Sequence, residues 1–600
     1  MRLSNPIKRA SRRRMAVASL LLALTLILPV AVSAAKPPTS PPGDVNVQLL
    51  AINDFHGNLQ PPSGSSGRIG SAANDAACIA AAPNCYLAGG FAYLADDVKD
   101  LEATNPERTL VVSAGDNIGG SPLISAAFHD EPTIEALNLI GLDFSAVGNH
   151  EFDEGVDEIL RIQNGGCHPV DGCDTGHDYA GADFQFLAAN VVYKTTGKTI
   201  LPAYKIRSLG GAKVGIIGLT LEGTPLIVSA NGIQTVNFLD EAESINAATA
   251  ELKAKGVHTI VVLLHEGGFQ ANPITAANIN TCNGFSGALA AITAQLDDEV
   301  DMVISGHTHA FYNCTLPNSV ARQVPVSSAS SFGRLVTDID MTINRATDQP
   351  TAITVNNTIV FRDDQDADAA ALVSYYQAAV APIANVVVGS ITADILGTGA
   401  GAANAAGESA LGDVIADAQL AYTQGAGAEL AFMNPGGIRA NLIYSQISGG
   451  EAAGEVTFGE AFNVQPFNNL VVTQTMTGAQ IKAVLEQQWA ACTPPGRSGG
   501  ASVFLQVSAG FSYSYDSTQP CGSRISDMEL NSVAIDPDQE YRVTANSFLA
   551  DGGDSFPAFT VYTDRDFAPD FDIDALADYL DANTPPGVPP GPQTRFLKLA

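Results

Sequence analysis

The chain has 600 residues, which is too long for one hydrophobic core, so two large domains are expected. Apolar residues make up 46% of the sequence and charged residues 16%, a balance that is typical of globular proteins and excludes a disordered chain. The net charge of −33 indicates a soluble surface that repels nucleic acid at long range, but acidity alone identifies no substrate.

The N-terminus has the pattern of an export signal. Basic residues between positions 2 and 14 are followed by the apolar run MAVASLLLALTLILPVAV, and small residues then offer a cleavage site near Ala34 or Ala35. An uncleaved membrane anchor is the alternative, but Pro29 and the small residues after it favour cleavage. Residues 1–35 are therefore predicted to be a signal peptide. The remainder is expected to be secreted, or periplasmic in a host with an outer membrane, without a membrane anchor.

The strands and helices predicted for residues 44–345 alternate along the chain. Short apolar runs such as NVQLLAI, RTLVVSA, KVGIIGL and TIVVLL are rich in valine, isoleucine and leucine. Segments with helical periodicity, such as GFAYLADDVKDLEA and AESINAATAELKAKG, lie between some of them. This alternation predicts an α/β domain with buried strands.

The pattern changes after this domain. The segment DDQDADAAALVSYYQAAVAPIANV begins with acidic capping residues and keeps a helical spacing as far as Pro382, so residues 363–384 are predicted to be a linker helix. A stretch rich in glycine and alanine then opens a second α/β domain, predicted over residues 385–585. Its clearest elements are a helix in LGDVIADAQLAYTQ and strands in NLVVTQTM and EYRVTANSF.

The eight cysteines of an exported chain are predicted to form disulfide bonds. Proximity along the sequence suggests the pairs Cys78–Cys85, Cys167–Cys173, Cys282–Cys314 and Cys492–Cys521, out of about 105 possible arrangements. A zinc cluster is the weaker alternative, because the sequence contains no C-x-x-C spacing.

Five predicted strands of the first domain are followed by side chains that bind metals. These side chains are Asp54, His56, Asp116, Asn149, His265, His307 and His309. In open α/β sheets, ligands lie beyond the carboxyl ends of the strands, so five such ends in one sheet would converge on one site. Seven ligands are too many for one tetrahedral ion, but they suit two ions about 3.5–4 Å apart that share a carboxylate. A lone histidine is usually a structural residue, whereas this combination favours a metal centre.

His150 lies beside a candidate ligand, yet the two coordination shells are filled without it. Asp153 follows three residues later, where one turn brings its carboxylate to the imidazole and favours the charged ring. We therefore predict that His150 acts as the acid or electrostatic stabiliser at a leaving oxygen and that Asp153 orients it. The other histidines have no such setting and are predicted to be structural or exposed: His129, His168, His177 and His258.

Five motifs occur in the order NDFHG, GDNIGGSP, GNHEFDEG, HEGG and SGHTHA. Together they resemble the calcineurin-like metallophosphatases, and specifically the secreted 5′-nucleotidase and UDP-sugar hydrolase branch. The resemblance covers most of the chain after the signal peptide. It implies an α/β fold with a four-layer metallophosphatase domain, in which a β-sandwich is flanked by helices. It also implies a separate α/β substrate-binding domain joined by the linker helix.

The resemblance also implies how the metals are held. One metal would be bound by Asp54, His56, Asp116 and His309, and the other by Asp116, Asn149, His265 and His307. The His-Asp pair of the family maps onto His150 and Asp153. The mixed nitrogen and oxygen ligands do not decide between Zn, Mn, Co and Fe.

In the second domain, the motif NPGGIR is similar to the Asn-x-Gly-Gly-x-Arg signature of the family. The residues that the resemblance places at the substrate are Asn434, Gly437, Arg439, Phe467, Phe548 and Asp554. Arg439 would grip phosphate, because a guanidinium matches phosphate oxygens bidentately. The two phenylalanines would sandwich the base and Asp554 would hold the ribose, although core packing is the alternative for both rings. The stretch GAANAAGE departs from the family, because it lacks further arginines that some members carry there.

The function expected from this resemblance is hydrolysis of extracellular nucleotides to nucleosides and phosphate by two divalent metals. The partner would be a small nucleotide, with no stable nucleic acid complex. Enzymatic alternatives on the same site are a 2′,3′-cyclic phosphodiesterase, a UDP-sugar hydrolase or a sulfur-ester hydrolase. A further alternative is a non-catalytic surface-binding protein that retains this fold, but it would not explain the complete set of metal ligands. An extracellular nuclease is disfavoured by the scarcity of basic residues.

Overall fold

The computed structural model describes residues 43–72, 75–173, 175–271, 275–399, 401–493 and 502–599. The predicted signal peptide, residues 1–35, lies outside the described residues. Within the described ranges, no helix combines the length and the apolar character that crossing a bilayer would require.

The first domain consists of strands and helices that alternate as predicted. Its strands are β1 (Asp44–Ile52), β2 (Arg68–Ile69), β3 (Tyr86–Leu87), β4 (Thr109–Ser113), β5 (Leu142–Ala146), β6 (Gln185–Leu187), β7 (Val191–Tyr193), β8 (Tyr204–Leu209), β9 (Ala212–Thr220), β10 (Val236–Phe238), β11 (Thr259–His265), β12 (Val300–Ser305), β13 (Phe311–Pro317), β14 (Gln323–Ala329), β15 (Leu335–Asn344) and β16 (Gln349–Ile359). Its helices are α1 (Asp75–Ala80), α2 (Phe91–Glu102), α3 (Leu123–Ala126), α4 (Glu131–Leu139), α5 (Val156–Asn164), α6 (Glu241–Ala254) and α7 (Ala288–Thr293).

Two six-stranded sheets form the centre of this domain. Their strand orders are β16-β15-β1-β4-β5-β6 and β13-β14-β12-β11-β9-β8. Strands β1, β4 and β5 of the first sheet run parallel to one another, and so do β9, β11 and β12 of the second. Successive residues of a strand point to opposite faces, so Leu49 packs between the two sheets while Leu50 faces α2 and α4. On the other side, Ile260 and Val262 pack against α6 and α7. The predicted four-layer fold is thereby confirmed.

Helix α8 (Ala367–Ala384) connects the two domains. It begins after Asp366, whose side chain accepts a hydrogen bond from the Ala369 N–H, so the acidic residues before Asp366 precede the cap. The helix contains Pro382 and continues to Ala384. Its buried Tyr376 belongs to an apolar cluster that also includes residues of both domains.

The described part of the second domain contains three further sheets. Its strands are β17 (Val387–Ser390), β18 (Leu430–Met433), β19 (Glu455–Thr457), β20 (Leu470–Thr477), β21 (Gln506–Val507), β22 (Phe511–Tyr515), β23 (Ile525–Leu530), β24 (Val533–Ala534), β25 (Glu540–Asn546), β26 (Arg565–Phe571) and β27 (Phe596–Lys598). Its helices are α9 (Ala410–Tyr422), α10 (Phe458–Val464), α11 (Gly478–Glu486), α12 (Ser547–Ala550) and α13 (Asp572–Ala582). The largest sheet has the order β21-β18-β25-β20-β26, the next has the order β24-β23-β22-β27, and the smallest pairs β17 with β19.

All four predicted disulfide bonds are present. They join Cys78 to Cys85, Cys167 to Cys173, Cys282 to Cys314 and Cys492 to Cys521. The bridges close short loops, and no free cysteine occurs in the part of the chain that the structure describes.

Candidate metal centre and substrate cavity

The candidate ligands follow strands of two different sheets. Asp54, His56, Asp116 and Asn149 come after β1, β4 and β5 of the first sheet, whereas His265, His307 and His309 end or follow β11 and β12 of the second. The expectation that five strand ends of a single sheet converge was therefore wrong. The two sheets pack face to face, so the carboxyl ends of both sets of parallel strands meet at one edge of the sandwich.

The structure brings all seven side chains together. Asp54, His56 and His309 form one group, in which the Nε2 atoms of His56 and His309 lie 3.1 Å apart. Asp116, His265 and His307 form a second group, and the His265 Nε2 lies 2.9 Å from the Asp116 Oδ2.

Asn149 lies with the second group, and Asp116 lies between the two groups. The Asn149 Oδ1 lies 3.2 Å from the His265 Nε2 and 3.0 Å from the His307 Nδ1. The Asp116 Oδ2 is also 3.7 Å from the His56 Nε2, so Asp116 stands between the two groups.

The hydrogen bonds around the site leave acceptor atoms facing one another. The Nδ1 of His56 lies 2.7 Å from the Gly119 carbonyl and that of His265 lies 2.8 Å from the Ala114 carbonyl, so each Nδ1–H donates to the backbone. The Nε2 atom of each ring then presents a lone pair to the cluster. Imidazole nitrogens, carboxylates and an amide oxygen that face each other with lone pairs need a cation between them, and the donor set fits divalent metals.

The electrostatics of the site agree with this interpretation. Burial lowers the pKa of His56 and of His307 to about 3, so both rings are neutral. Burial also acts to lower the pKa of His265, but the carboxylates of Asp116 and Asp54 outweigh it and raise the pKa to about 10, so a proton on Nε2 takes the place of the cation when no metal is bound. The buried carboxylates of Asp116 and Asp54 are therefore stabilised by a positive charge between the two groups of ligands.

The backbone at the site adopts conformations that side chains rarely tolerate. Five of the seven candidate ligands have a positive φ: 50° at Asp54, 46° at His56, 50° at Asp116, 69° at His307 and 54° at His309. Non-glycine residues in this region are uncommon, and they cluster where the surrounding structure holds functional groups in place. This concentration marks the edge of the sandwich as a functional site.

Glu151 is a site residue to which the sequence assigned no role. Its buried carboxylate accepts hydrogen bonds from the backbone N–H groups of Asp116, Asn117 and Gly148. It therefore ties the loop after β4 to the loop after β5. The position of Glu151 inside GNHEFDEG was the only sequence signal, and it could not distinguish a carboxylate that binds backbone from one that binds metal.

His150 and Asp153 lie together, as their spacing suggested. The His150 Nδ1 is 2.8 Å from the Asp153 Oδ2, and the His150 N–H donates to the Asp116 Oδ1 at 2.8 Å. Burial acts to lower the pKa of His150, but Asp153 and Asp116 raise it above its usual value. The ring is partly exposed and stacks on Phe467 of the second domain, with centroids 5.6 Å apart.

Arg439 reaches towards the same place from the second domain. Its guanidinium lies over Phe467, with the carbon Cζ 5.6 Å from the centroid of that ring. The Nη2 atom is buried and has no hydrogen-bond partner. Burial lowers the pKa of Arg439, while Asp116, Asp153 and Asp54 act to raise it. An unpartnered buried guanidinium beside this cluster is a binding position for an anion.

The other predicted substrate residues lie near Arg439 in the second domain. Asn434 donates to the Asp554 Oδ2 at 2.7 Å and accepts from Asn546 at 2.9 Å. Gly437 is buried, and a Cβ there would come within 2.6 Å of the Met433 side chain.

The two phenylalanines are half-buried and occupy different surroundings. Phe467 stacks on His150, whereas Phe548 packs against Gly553. The structure therefore does not bring the two rings together as a stacked pair.

A cavity of about 720 Å³ lies between the two domains and α8. Gly120, Ser121 and Phe332 line it from the first domain, and Arg439 and Asn441 line it from the second. Arg439 is the only arginine among the described residues that line this cavity. No residue of GAANAAGE is among the described residues that line this cavity.

Comparisons with known proteins agree with this architecture. The family model of the calcineurin-like phosphoesterases matches residues 47–311, and the model of the 5′-nucleotidase C-terminal domain matches residues 387–561. The chain is 29% identical over 530 residues to Endonuclease YhcR of Bacillus subtilis, covering 86% of this chain and 38% of that protein. It is 32% identical over 531 residues to Cell wall protein Lmo0130 of Listeria monocytogenes, covering 86% of this chain and 64% of that protein.

The chain thus spans less than two thirds of the length of these two relatives. A solved structure of similar size is that of the 5′-nucleotidase precursor from Thermus thermophilus. It is 26% identical, with a TM-score of 0.72, and the match covers 92% of this chain and 99% of that one.

Proposed function

Because this chain belongs to the calcineurin-like phosphoesterases that carry a 5′-nucleotidase C-terminal domain, and is therefore a metal-dependent phosphoesterase, we propose that it is a 5′-nucleotidase. Its substrate would be a nucleoside monophosphate, and its products a nucleoside and phosphate. The observation that carries this proposal is the unpartnered Nη2 of Arg439, buried beside the candidate metal centre. A phosphate monoester fits there, because its oxygens accept bidentate hydrogen bonds from a guanidinium.

Two divalent cations are proposed to occupy the centre. Asp54, His56, Asp116 and His309 would hold one, and Asp116, Asn149, His265 and His307 would hold the other. When bound, such a pair of cations supplies positive charge to the phosphoryl oxygens and lowers the pKa of water. The nitrogen and oxygen donors suit Zn, Mn, Co or Fe.

His150 is proposed to act at the leaving 5′-oxygen. Asp153 accepts the Nδ1–H of the ring, which turns the Nε2 atom away from Asp153 and fixes the tautomer. Burial opposes the charged ring, but Asp153 and Asp116 raise the pKa of His150 and so favour it; the proton of the charged ring would stabilise negative charge on that oxygen.

The second domain, proposed to span residues 385–585, would choose the substrate. Phe467 and Phe548 would hold the base and Asp554 the ribose, with Asn434 and Gly437 shaping the loop that carries Arg439. Phe467 is stacked on His150 of the first domain, so a base can reach the face of Phe467 only if the second domain shifts about the linker helix, proposed as residues 363–384. Such a shift would also open the cavity to solvent.

A nuclease is the second candidate, because the relative from Bacillus subtilis is named an endonuclease. Two observations oppose it here. The net charge is −33, and the cavity offers a single arginine, whereas a polyanion is usually held by several basic side chains. Secretion is part of the proposal and is supported by the four disulfide bonds, which form in oxidising compartments.

A hydrolysis screen that separates the products by chromatography tests the function, because a phosphodiester or a pyrophosphate can be cleaved without release of free phosphate. The metal-loaded chain is assayed against nucleoside monophosphates, 2′,3′-cyclic nucleotides, UDP-glucose and single-stranded DNA. Turnover of monophosphates as the preferred substrates is expected, and preferred cleavage of DNA or a cyclic nucleotide would contradict the proposal.

Arg439→Lys tests the phosphate position in the same assay. Lysine keeps the positive charge but lacks the two parallel N–H donors of a guanidinium. The kcat/KM for the monophosphate should therefore fall about 10- to 100-fold, which corresponds to ~1.5–3 kcal/mol for a charged hydrogen bond. Arg542→Lys is the matched control, because Arg542 pairs with Asp564 and Asp566 at the surface. An unchanged kcat/KM in Arg439→Lys would overturn the role of this residue.

A further inference from the structure

A second group of metal-binding side chains lies outside the centre described above. His129, Glu154, His168 and Asp171 form this group, which we call the His129 cluster. The His129 Nδ1 is 3.1 Å from the Glu154 Oε2, and the His129 Nε2 is 3.0 Å from the Asp171 Oδ2. The His168 Nδ1 is 3.1 Å from the same Asp171 oxygen. One carboxylate oxygen therefore faces a nitrogen of each imidazole.

The geometry resembles a metal site with its supporting carboxylate. Glu154 accepts the Nδ1–H of His129, which leaves the Nε2 lone pair pointing at Asp171. The two imidazoles stack with their centroids 3.7 Å apart, an arrangement that two protonated rings would avoid. Ligand atoms of His129, Glu154 and His168 lie within 4.8 Å of one another. Two imidazoles and a carboxylate are a donor set that zinc favours.

The charge of the cluster also calls for a cation. The hydrogen bond to Glu154 is the largest of several effects that raise the pKa of His129 to about 9. At neutral pH a proton on His129 thus balances the charge of Glu154 and Asp171, and a divalent ion can replace that proton. A divalent ion would balance both carboxylates and would bring both rings into one coordination shell.

Three separate segments meet at this cluster. The disulfide bond between Cys167 and Cys173 encloses the loop that carries His168 and Asp171. His129 has a φ of 50°, a conformation that non-glycine residues adopt only when held. Asp130, the next residue, accepts a hydrogen bond from the Gly119 N–H. The Gly119 carbonyl in turn accepts one from His56, a candidate ligand of the main centre.

From this geometry we propose that His129, His168 and Asp171 bind a zinc ion, with Glu154 orienting His129. The site is peripheral to the main centre and does not depend on the proposed 5′-nucleotidase activity. Its ion would join the loop after α3, the turn before α5 and the disulfide-closed loop. It would thereby brace the segments that surround the main centre.

Metal content tests the proposal. The wild-type chain, the double variant His129→Gln/His168→Gln and the control His177→Gln are loaded with zinc, dialysed against metal-free buffer and analysed by mass spectrometry for metal. The wild-type chain and the control should each keep one zinc ion per chain more than the double variant. His177 is a matched control, because it pairs with a single carboxylate, Glu135, and has no second imidazole beside it.

Chemical modification of the wild-type chain gives a second measurement that does not depend on the folding of a variant. Diethyl pyrocarbonate labels free imidazoles, and peptide mass spectrometry locates each label. Zinc at about ten times its Kd should slow labelling of His129 and His168 about tenfold and leave that of His258 unchanged. Equal metal content in all three proteins, or equal labelling with and without zinc, would show a proton-bridged ion-pair network only and would overturn the proposal.

Discussion

At the scale of single residues, the buried carboxylates around the main centre differ in the groups that they bind. Asp54, Asp116 and Glu151 are all buried carboxylates next to short glycine-containing motifs. Two of them face imidazoles, whereas the third accepts three backbone N–H groups. That difference depends on positive-φ backbone and on loops that are far apart in sequence, and neither leaves a trace in local composition.

Glu151→Gln should lower stability and weaken metal binding, although Glu151 is not itself a candidate ligand. An amide can accept through one oxygen only, so either the Asn117 N–H at Oε1 or the Asp116 and Gly148 N–H groups at Oε2 would lose their partner, at about 1–3 kcal/mol each. The free energy of unfolding should fall by about 2–4 kcal/mol, and metal should bind more weakly. Chemical denaturation and metal titration measure these effects. Glu107→Gln, at an exposed position, is the control, and an equal effect in both variants would contradict this role.

His150→Ala tests whether His150 contributes to catalysis without binding a metal. Removing a group that stabilises the leaving oxygen should lower kcat about 10²- to 10⁴-fold, because proton transfer by a positioned side chain contributes that much. Metal content should stay at the wild-type level, since His150 is not among the candidate ligands. His258→Ala is the control, because this ring lies at the surface beside Glu299. A variant that lost metal together with activity would instead place His150 in the coordination shell.

At the scale of elements, the sequence predicted the strands well and their assembly poorly. Runs such as TIVVLL and KVGIIGL lie in β11 and β9, because continuous β-branched stretches buried on both faces have a strong pattern. Which sheet each strand joins depends on long-range pairing, for example of β1 with β15 almost 300 residues later. The sequence therefore predicted that metal-binding residues end the strands, but not that two sheets supply them.

Gly148→Ala tests the close approach of the loops after β4 and β5. A Cβ at this position would lie 2.1 Å from the Asp116 Oδ1, so one of the two loops must move. Metal affinity should weaken about 10- to 100-fold, as when groups that orient metal ligands are altered. Isothermal titration with zinc measures the change. Gly425→Ala, where nothing lies within 4 Å, should bind metal like the wild type, and so should Gly148→Ala if the loops can separate freely.

The pairing of β11 with β12 includes a buried carboxyl whose effect on stability depends on pH. Burial is the main cause that raises the pKa of Asp301 to about 7, although it accepts a hydrogen bond from the Ile260 N–H at 3.1 Å. The folded state keeps this proton to a higher pH than the unfolded state does. The stabilising contribution is therefore complete below about pH 3.8 and is lost as the pH rises through 7.

Asp301→Asn should remove this dependence of stability on pH. Asparagine keeps an oxygen for Ile260 and cannot ionise, so the variant should be more stable than the wild type at pH 8, by on the order of 1–3 kcal/mol. The advantage should shrink towards pH 5. Urea denaturation at several pH values measures it. Asp298→Asn is the control, because Arg322 lowers the pKa of exposed Asp298 and gives the opposite sign. A constant difference across the pH range would contradict the assignment.

At the scale of the whole molecule, the two domains share apolar packing through α8. One continuous cluster includes Leu50 of the first sheet, Tyr376 of α8, and Leu411 and Leu576 of the second domain. The four disulfide bonds, by contrast, each lie within one domain. The sequence predicted a linker helix between two domains, but it could not predict that this helix would be packed into both cores.

This shared packing determines how metal removal should act. Chelation leaves the buried carboxylates of Asp54 and Asp116 without their cations, and a ligand present at 100 to 1,000 times its Kd stabilises a protein by about 3–4 kcal/mol. Because the apolar cluster is continuous across α8, we expect the unfolding transitions of both domains to move down together. Differential scanning calorimetry with and without a chelator measures the shift, and added zinc should restore it. Asp116→Asn should show little shift, because its metal is already weakly held. Two separate transitions, of which the chelator moves one, would show that α8 does not couple the domains.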